Sequence, residues 1–251
     1  MKARSVDNRF FIRDKIAKPR VLEIIDSQNI IEDDYEKLMV DNQFSSKTIE
    51  IAKYLVNTFK NAKVIGSLLK VDKLDYKYFI EELKLKRQEG QLDFFSSHLY
   101  NNLIPKFIQL SRLAIAMSKK YDVMITNPPY LGSSSLEQPC KDYATKNYPK
   151  SKADMFAMFM EVPYGKKNGF RAIVNPDSWM FLVSFEGLRK KIIMEEHIDN
   201  MMHLGMGSFD AVVQTTSFVL RNTPIATNGV YFRLVDSKDK EADFLKNFGG
   251  M

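Results

Sequence analysis

The hydrophobic positions of this chain change period near residue 120. Over 32–120 they recur at helical spacing. Ile51, Leu55, Val56 and Phe59 share one face of a helix that Ser46 opens as N-cap, with Glu50 in its first turns. Phe79, Ile80 and Leu83 line a second helix over 76–88, opposite Lys84, Lys86, Arg87 and Glu89. Leu103, Phe107, Leu110, Leu113, Ala114 and Met117 line a third over 94–120, where Pro105 marks a start or a kink. Residues 66–71 break the pattern as a short strand or an extended turn. Outside this block, short apolar runs predict strands at 21–25, 121–126, 170–174, 198–204, 212–220 and 229–235. The run at 121–126 carries no charge after Asp122 and predicts a buried strand. A buried helix is expected over 151–160 with Ser151 as cap, an amphipathic helix over 185–194, and a basic turn at 165–169. The fold class is α/β. Four regions follow: 1–31, a lead-in and first strand; 32–120, a helical insertion; 121–236, the remaining sheet; and 237–251, a charged tail with no clear element.

Composition narrows the class without naming a function. The 251 residues include 37 Lys+Arg and 31 Asp+Glu, for a net charge of +6. That balance is compatible with nucleic acid and does not establish it. The first 20 residues are basic and aromatic, a surface segment or a nucleic-acid arm. A single cysteine, Cys140, excludes a disulfide framework and a cysteine zinc site, and suits a reducing cytoplasm. His98, His197 and His203 have no metal-ligand spacing, so no metal is expected. No apolar run approaches the roughly 18 residues of a membrane span. The charged start is not followed by the apolar stretch of a signal peptide.

Candidate chemistry sits where the 121–126 run stops, at Asn127-Pro128-Pro129-Tyr130. Neither proline can give an N–H to a ladder, and Pro128 pushes Asn127 out of the helical region. Asn127 and Tyr130 are therefore expected on a stiff loop at the carboxyl end of a strand, where open α/β sheets bind ligands. Asn-Pro-Pro-Tyr after an apolar strand resembles the catalytic motif of amino-methyltransferases, above all the N6-adenine DNA methyltransferases. Further runs carry the resemblance: 120–130, 152–159, Asp177-Ser178-Trp179-Met180-Phe181 with 185–189, and 213–222 around Gln214-Thr215-Thr216. Together they resemble the PglX-type adenine-specific methyltransferases of BREX phage-defence systems, over most of 1–222.

The resemblance implies a partial class I, Rossmann-like methyltransferase sheet with a helical insertion before the Asn-Pro-Pro-Tyr strand. It implies S-adenosylmethionine as cofactor and, as substrate, double-stranded DNA with a flipped adenine, with other phage-defence proteins as further partners. The Asn127 side-chain oxygen and the Pro128 carbonyl would accept hydrogen bonds from the target amine, held in place by Pro129. Tyr130 would stack on the flipped base. Phe209 matches a second stacking residue, or is a hydrophobic plug. Asp26 either hydrogen-bonds the adenosine amine of the cofactor or forms an Asp-Ser turn, the second being favoured. Trp179 is expected in the core. The acidic-plus-glycine cofactor loop of the family has no counterpart before Asn127, so the chain is expected to be a fragment with an open sheet edge. Two other functions stay in view: a catalytically silent fragment that binds DNA or a partner, and a protein glutamine methyltransferase.

Overall fold

The starts of two helices in the first half are set by short polar side chains, Ser45 and Asp75. The computed structural model describes residues 19–89, 94–162, 164–208, 213–225 and 227–248. Helices α1 (Glu32–Asp41), α2 (Ser46–Thr58), α3 (Ala62–Ile65), α4 (Tyr76–Glu89) and α5 (Phe94–Met117) fill the region expected to be helical. The cap of α2 is Ser45, one residue before the expected Ser46: its side chain accepts from the Thr48 N–H at 3.2 Å. Glu82 of α4 fixes this corner by accepting from the Ser45 N–H at 2.8 Å and from the Thr48 hydroxyl at 2.5 Å. Pro105 lies inside α5, which neither starts nor ends there. Tyr35 and Phe79 set ring edges on Phe107 at 5.7 and 5.8 Å. Residues 66–68 form a 3₁₀ turn rather than a strand.

The strand expected at 21–25 does not form. Among the described residues that segment has no sheet partner; Ile24 and Ile25 pack on the helical core instead, and the Ser27 N–H donates to the Phe59 carbonyl at 3.1 Å. An apolar β-branched run signals burial, and helices can bury it as well as a sheet can.

The sheet lies entirely after residue 120. Its strands are β1 (Tyr121–Thr126), β2 (Gly165–Pro176), β3 (His197–Gly205), β4 (Thr215–Arg221) and β5 (Val230–Arg233), in the order β1-β2-β4-β3-β5. β1 and β2 are parallel, β4 runs antiparallel between β2 and β3, and β5 adds parallel to β3. This is the mixed α/β sheet that the sequence predicts, with its β3–β4 antiparallel pair. Helices α6 (Gln138–Asn147), α7 (Met155–Phe159) and α8 (Glu186–Glu195) connect the strands. The buried core of the first five helices continues into Cys140, Ala144 and Tyr148. Burial raises the Cys140 thiol pKa, which suits a packing role. A second cluster, with Phe156, Trp179, Phe185, Leu188 and Phe218, fills the space between α7, α8 and the sheet.

Three further expectations change. β1 is an edge strand and is not buried: Tyr121, Val123 and Ile125 are exposed, Ile125 by 79%. Its composition suits a strand with two neighbours, and among the described residues β2 is its partner on one side only. The turn at 165–169 is absorbed into β2 as an irregular start, where Asn168 takes φ +64°. The tail contains a helix, α9 (Lys240–Phe248), started by Asp239 accepting from the Ala242 N–H and anchored by Phe244 against Phe232 at 5.0 Å.

Gly169 lets β1 and β2 approach. A Cβ there would lie 2.9 Å from the Asp122 carbonyl oxygen and 3.1 Å from that of Tyr121. Both are backbone atoms and cannot swing aside. Gly169→Ala is expected to cost about 1–3 kcal/mol, read as a lower urea midpoint with an unchanged slope.

Among the described residues, no helix is long and apolar enough to cross a membrane.

Candidate active site

β1, β2 and β3 run in the same direction, so the loops that follow them gather at one edge of the sheet. The loop after β1 is Asn127-Pro128-Pro129-Tyr130. Pro128 is buried, Asn127 and Pro129 are exposed, and Tyr130 is half-buried. The Tyr130 hydroxyl donates to the Asn127 side-chain oxygen at 3.2 Å. The tyrosine ring sets its edge against Phe156, with centroids 6.4 Å apart. Burial raises the Tyr130 pKa, so its hydroxyl stays protonated near neutral pH. The two residues thus lie on one loop and are joined by this hydrogen bond.

Asp154 holds this loop from behind, and sequence reasoning missed it. The expected cap was Ser151; the helix α7 starts later, with Asp154 as N-cap accepting from the Phe156 N–H at 3.2 Å. The same oxygen accepts from the Leu131 N–H at 3.1 Å, and the Met155 N–H donates to the Leu131 carbonyl at 2.9 Å. Ser151 is fully buried and donates to Glu161 instead. The signal for Asp154 was an acidic residue directly before Met155-Phe156, a favoured cap position.

Burial raises the Asp154 pKa above its ordinary 3.8, against the backbone N–H donors that favour the charged form. A carboxyl that holds its proton more tightly when folded stabilises most below 3.8, and that stability falls as pH rises through the higher folded value. Asp154→Asn keeps the accepting oxygen and removes the buried charge. It is expected to flatten this pH dependence and to leave neutral-pH stability equal or higher. Asp154→Ala is expected to cost about 1–2 kcal/mol. Urea midpoints of the three proteins across acid and neutral pH check both.

The loop after β2 is fixed by Thr216 of β4. Its hydroxyl donates to the buried Asn175 side-chain oxygen at 2.8 Å and accepts from the Trp179 indole at 3.2 Å. Trp179 is in the core, as expected. At the same edge His203 of β3 meets Asp177 at 2.9 Å. Asp26 accepts from the Gln28 N–H at 3.4 Å in a turn, and faces Lys63 at 3.6 Å. Phe209 and the basic segment 1–18 fall outside the described residues.

The sequence of the chain shows the class to which this sheet and loop belong. Residues 39–210 match the model of the Eco57I restriction-modification methylase family, and the chain belongs to that family. Over 192 residues it is 38% identical to the adenine-specific methyltransferase BrxX of Escherichia coli O9:H4 (strain HS), covering 72% of this chain and 15% of that protein. Over 203 residues it is 36% identical to the adenine-specific methyltransferase PglX of Lacticaseibacillus casei (strain Zhang), covering 76% and 17%. The chain therefore spans less than a fifth of the length of these curated relatives. Among solved structures, the ATP-dependent Type ISP restriction-modification enzyme LlaBIII bound to DNA matches with a TM-score of 0.41 and 17% identity, over 57% of this chain and 12% of that one.

Proposed function

We propose that this chain is the target-base half of an N6-adenine DNA methyltransferase. The observation that carries the reading is the pairing of Tyr130 with Asn127 on a proline-stiffened loop at an open sheet edge. An exocyclic amine conjugated to a ring is a poor nucleophile. Its two N–H groups can donate to the Asn127 side-chain oxygen and to the Pro128 carbonyl, which shifts its nitrogen toward tetrahedral geometry. Pro128 and Pro129 hold both acceptors before the base arrives, so little reorganisation is needed. Tyr130 offers a ring face to a base taken out of the duplex. Phe209 is the second stacking residue in this reading. The four regions 1–31, 32–120, 121–236 and 237–251 remain the proposed divisions of the chain, with the catalytic loop in the third.

S-adenosylmethionine supplies the methyl group. The cavity beside β1 does not fit the cofactor by itself. The apolar cavity of about 340 Å³ beside β1, lined by Leu22, Ile24, Met117, Val123 and Tyr164, has no carboxylate to take ribose hydroxyls. In this reading the cofactor is held with residues beyond those that line this cavity. Asp26 is in this reading a turn residue that faces Lys63, with the adenosine amine of the cofactor as its alternative partner. In the whole protein the mark serves restriction-modification or phage defence, in the cytoplasm, with double-stranded DNA as partner and other defence proteins beside it.

The test is a graft. The matching segment of the E. coli relative is replaced by residues of this chain, and adenine methylation of the host genome is read by sequencing. Methylation is expected. A soluble graft that melts like its parent and leaves adenines unmodified would overturn the reading.

A further inference from the structure

A second loop leaves the same edge of the sheet, and it protrudes. Phe181, Leu182 and Val183 follow β2 and are 64, 51 and 83% exposed. Three successive apolar side chains in water are unfavourable and mark a contact surface. The loop beneath them is rigid. Arg189 of α8 donates to the carbonyls of Trp179 at 2.8 Å and Leu182 at 2.6 Å. The Phe185 N–H donates to the Leu182 carbonyl at 3.2 Å, and both Trp179 and Phe185 are buried. The tip is thus an apolar knuckle on a clamped base.

Its neighbours say what it meets. Two ring contacts, Tyr130 to Phe156 and Phe156 to Phe185, tie the knuckle to the loop of Asn127. Lys150 lies against Gly187 in the first turn of α8, and Lys152 is exposed nearby in sequence. The acids at hand are engaged: Glu186 with Lys190, and Asp177 with His203. Among the described residues, neither Lys150 nor Lys152 forms an ion pair with them. The apolar tip therefore has a lysine, Lys150, against the helix that follows it and a second, Lys152, two residues on in the chain, which suits bases between phosphates better than a purely apolar protein face.

We infer, resting on the function proposed above, that Phe181-Leu182-Val183 is a wedge that enters the base stack beside the extruded adenine, with Lys150 and Lys152 on flanking phosphates. An apolar wedge fills the gap left by the departing base and keeps it from returning. No bond is made or broken. The wedge lowers the free energy of the extruded state, which the Asn127 loop then receives.

The full chain is titrated onto two short duplexes at several salt concentrations. One is intact. The other has a single abasic site beside 2-aminopurine, so no base need be extruded to open the gap. Wild type is expected to prefer the abasic duplex and to brighten 2-aminopurine as its stacking is broken. The triple variant Phe181→Ser, Leu182→Ser, Val183→Ser should lower that preference about tenfold and remove the brightening. Lys150→Ala with Lys152→Ala should weaken binding to both duplexes and reduce the salt slope by about 1–2. All five side chains are exposed, so melting temperatures should match wild type. A triple variant that keeps both signals, or a wild type without preference, overturns the wedge and leaves protein as the occupant of the knuckle. Either result together with methylation by the graft would leave the proposed function standing, so the two fail separately.

Discussion

Asn127→Ala, placed in the methylating graft, is expected to lower adenine methylation by about 100-fold or more. Asn127 is exposed and makes one described side-chain contact, from the Tyr130 hydroxyl. Its removal should therefore change stability by less than about 0.5 kcal/mol. The loss would be one of chemistry. An alanine leaves the amine with the Pro128 carbonyl as its single acceptor, and half of the preorganised set is gone. Asn127→Asp keeps an accepting oxygen in the same place and should retain more activity than alanine. Single-turnover methylation, measured on protein of equal melting temperature, separates the three. Equal rates for wild type and Asn127→Ala would remove Asn127 from the catalytic role.

The largest effect on stability is expected at Arg171 and Glu196. The two side chains pair inside the fold, 4% and 5% exposed, where β2 passes the end of α8. The Arg171 Nε has no partner among the described residues, and Nη1 reaches the Val162 carbonyl only at 3.4 Å. Two charges out of water are tolerated because each neutralises the other. Glu196→Ala leaves a guanidinium buried with weak contacts and should cost about 3–5 kcal/mol. The double replacement Arg171→Met with Glu196→Leu removes both charges and should cost far less. Urea denaturation of the single and double variants reads the difference. A single variant as stable as the double would mean that water already reaches this pair.

The relation of sequence to structure differs element by element. The helices at 46–58 and 76–89 and the strands of β3 and β4 were legible because their periodicity is local and long. The cap of α2 was placed one residue late, since adjacent serines are equivalent to a pattern and only φ/ψ separates them. The segment 21–25 and β1 show the opposite limit. Both read as strands from apolar content, the second as a buried one; the first packs on helices and the second lies at an edge. Burial depends on what lies across from a run, and that is set by residues far along the chain. Asp154 was overlooked for the same reason. Its cap position is local, but its bond to Leu131 spans 23 residues.

The sequence by itself determined the chemistry of the loop: an amide oxygen, two prolines that stiffen it, and a tyrosine at a fixed spacing. Those properties are covalent or nearest-neighbour, so they need no fold to be read. Only the tertiary structure decided that the Tyr130 hydroxyl reaches Asn127, that Asp154 holds the loop from behind, and that Phe181 protrudes beside it. It also decided that, among the described residues, β1 has a strand partner on one side only. Each of these is a contact, or a missing contact, between segments that the chain brings together only when its two hydrophobic clusters close.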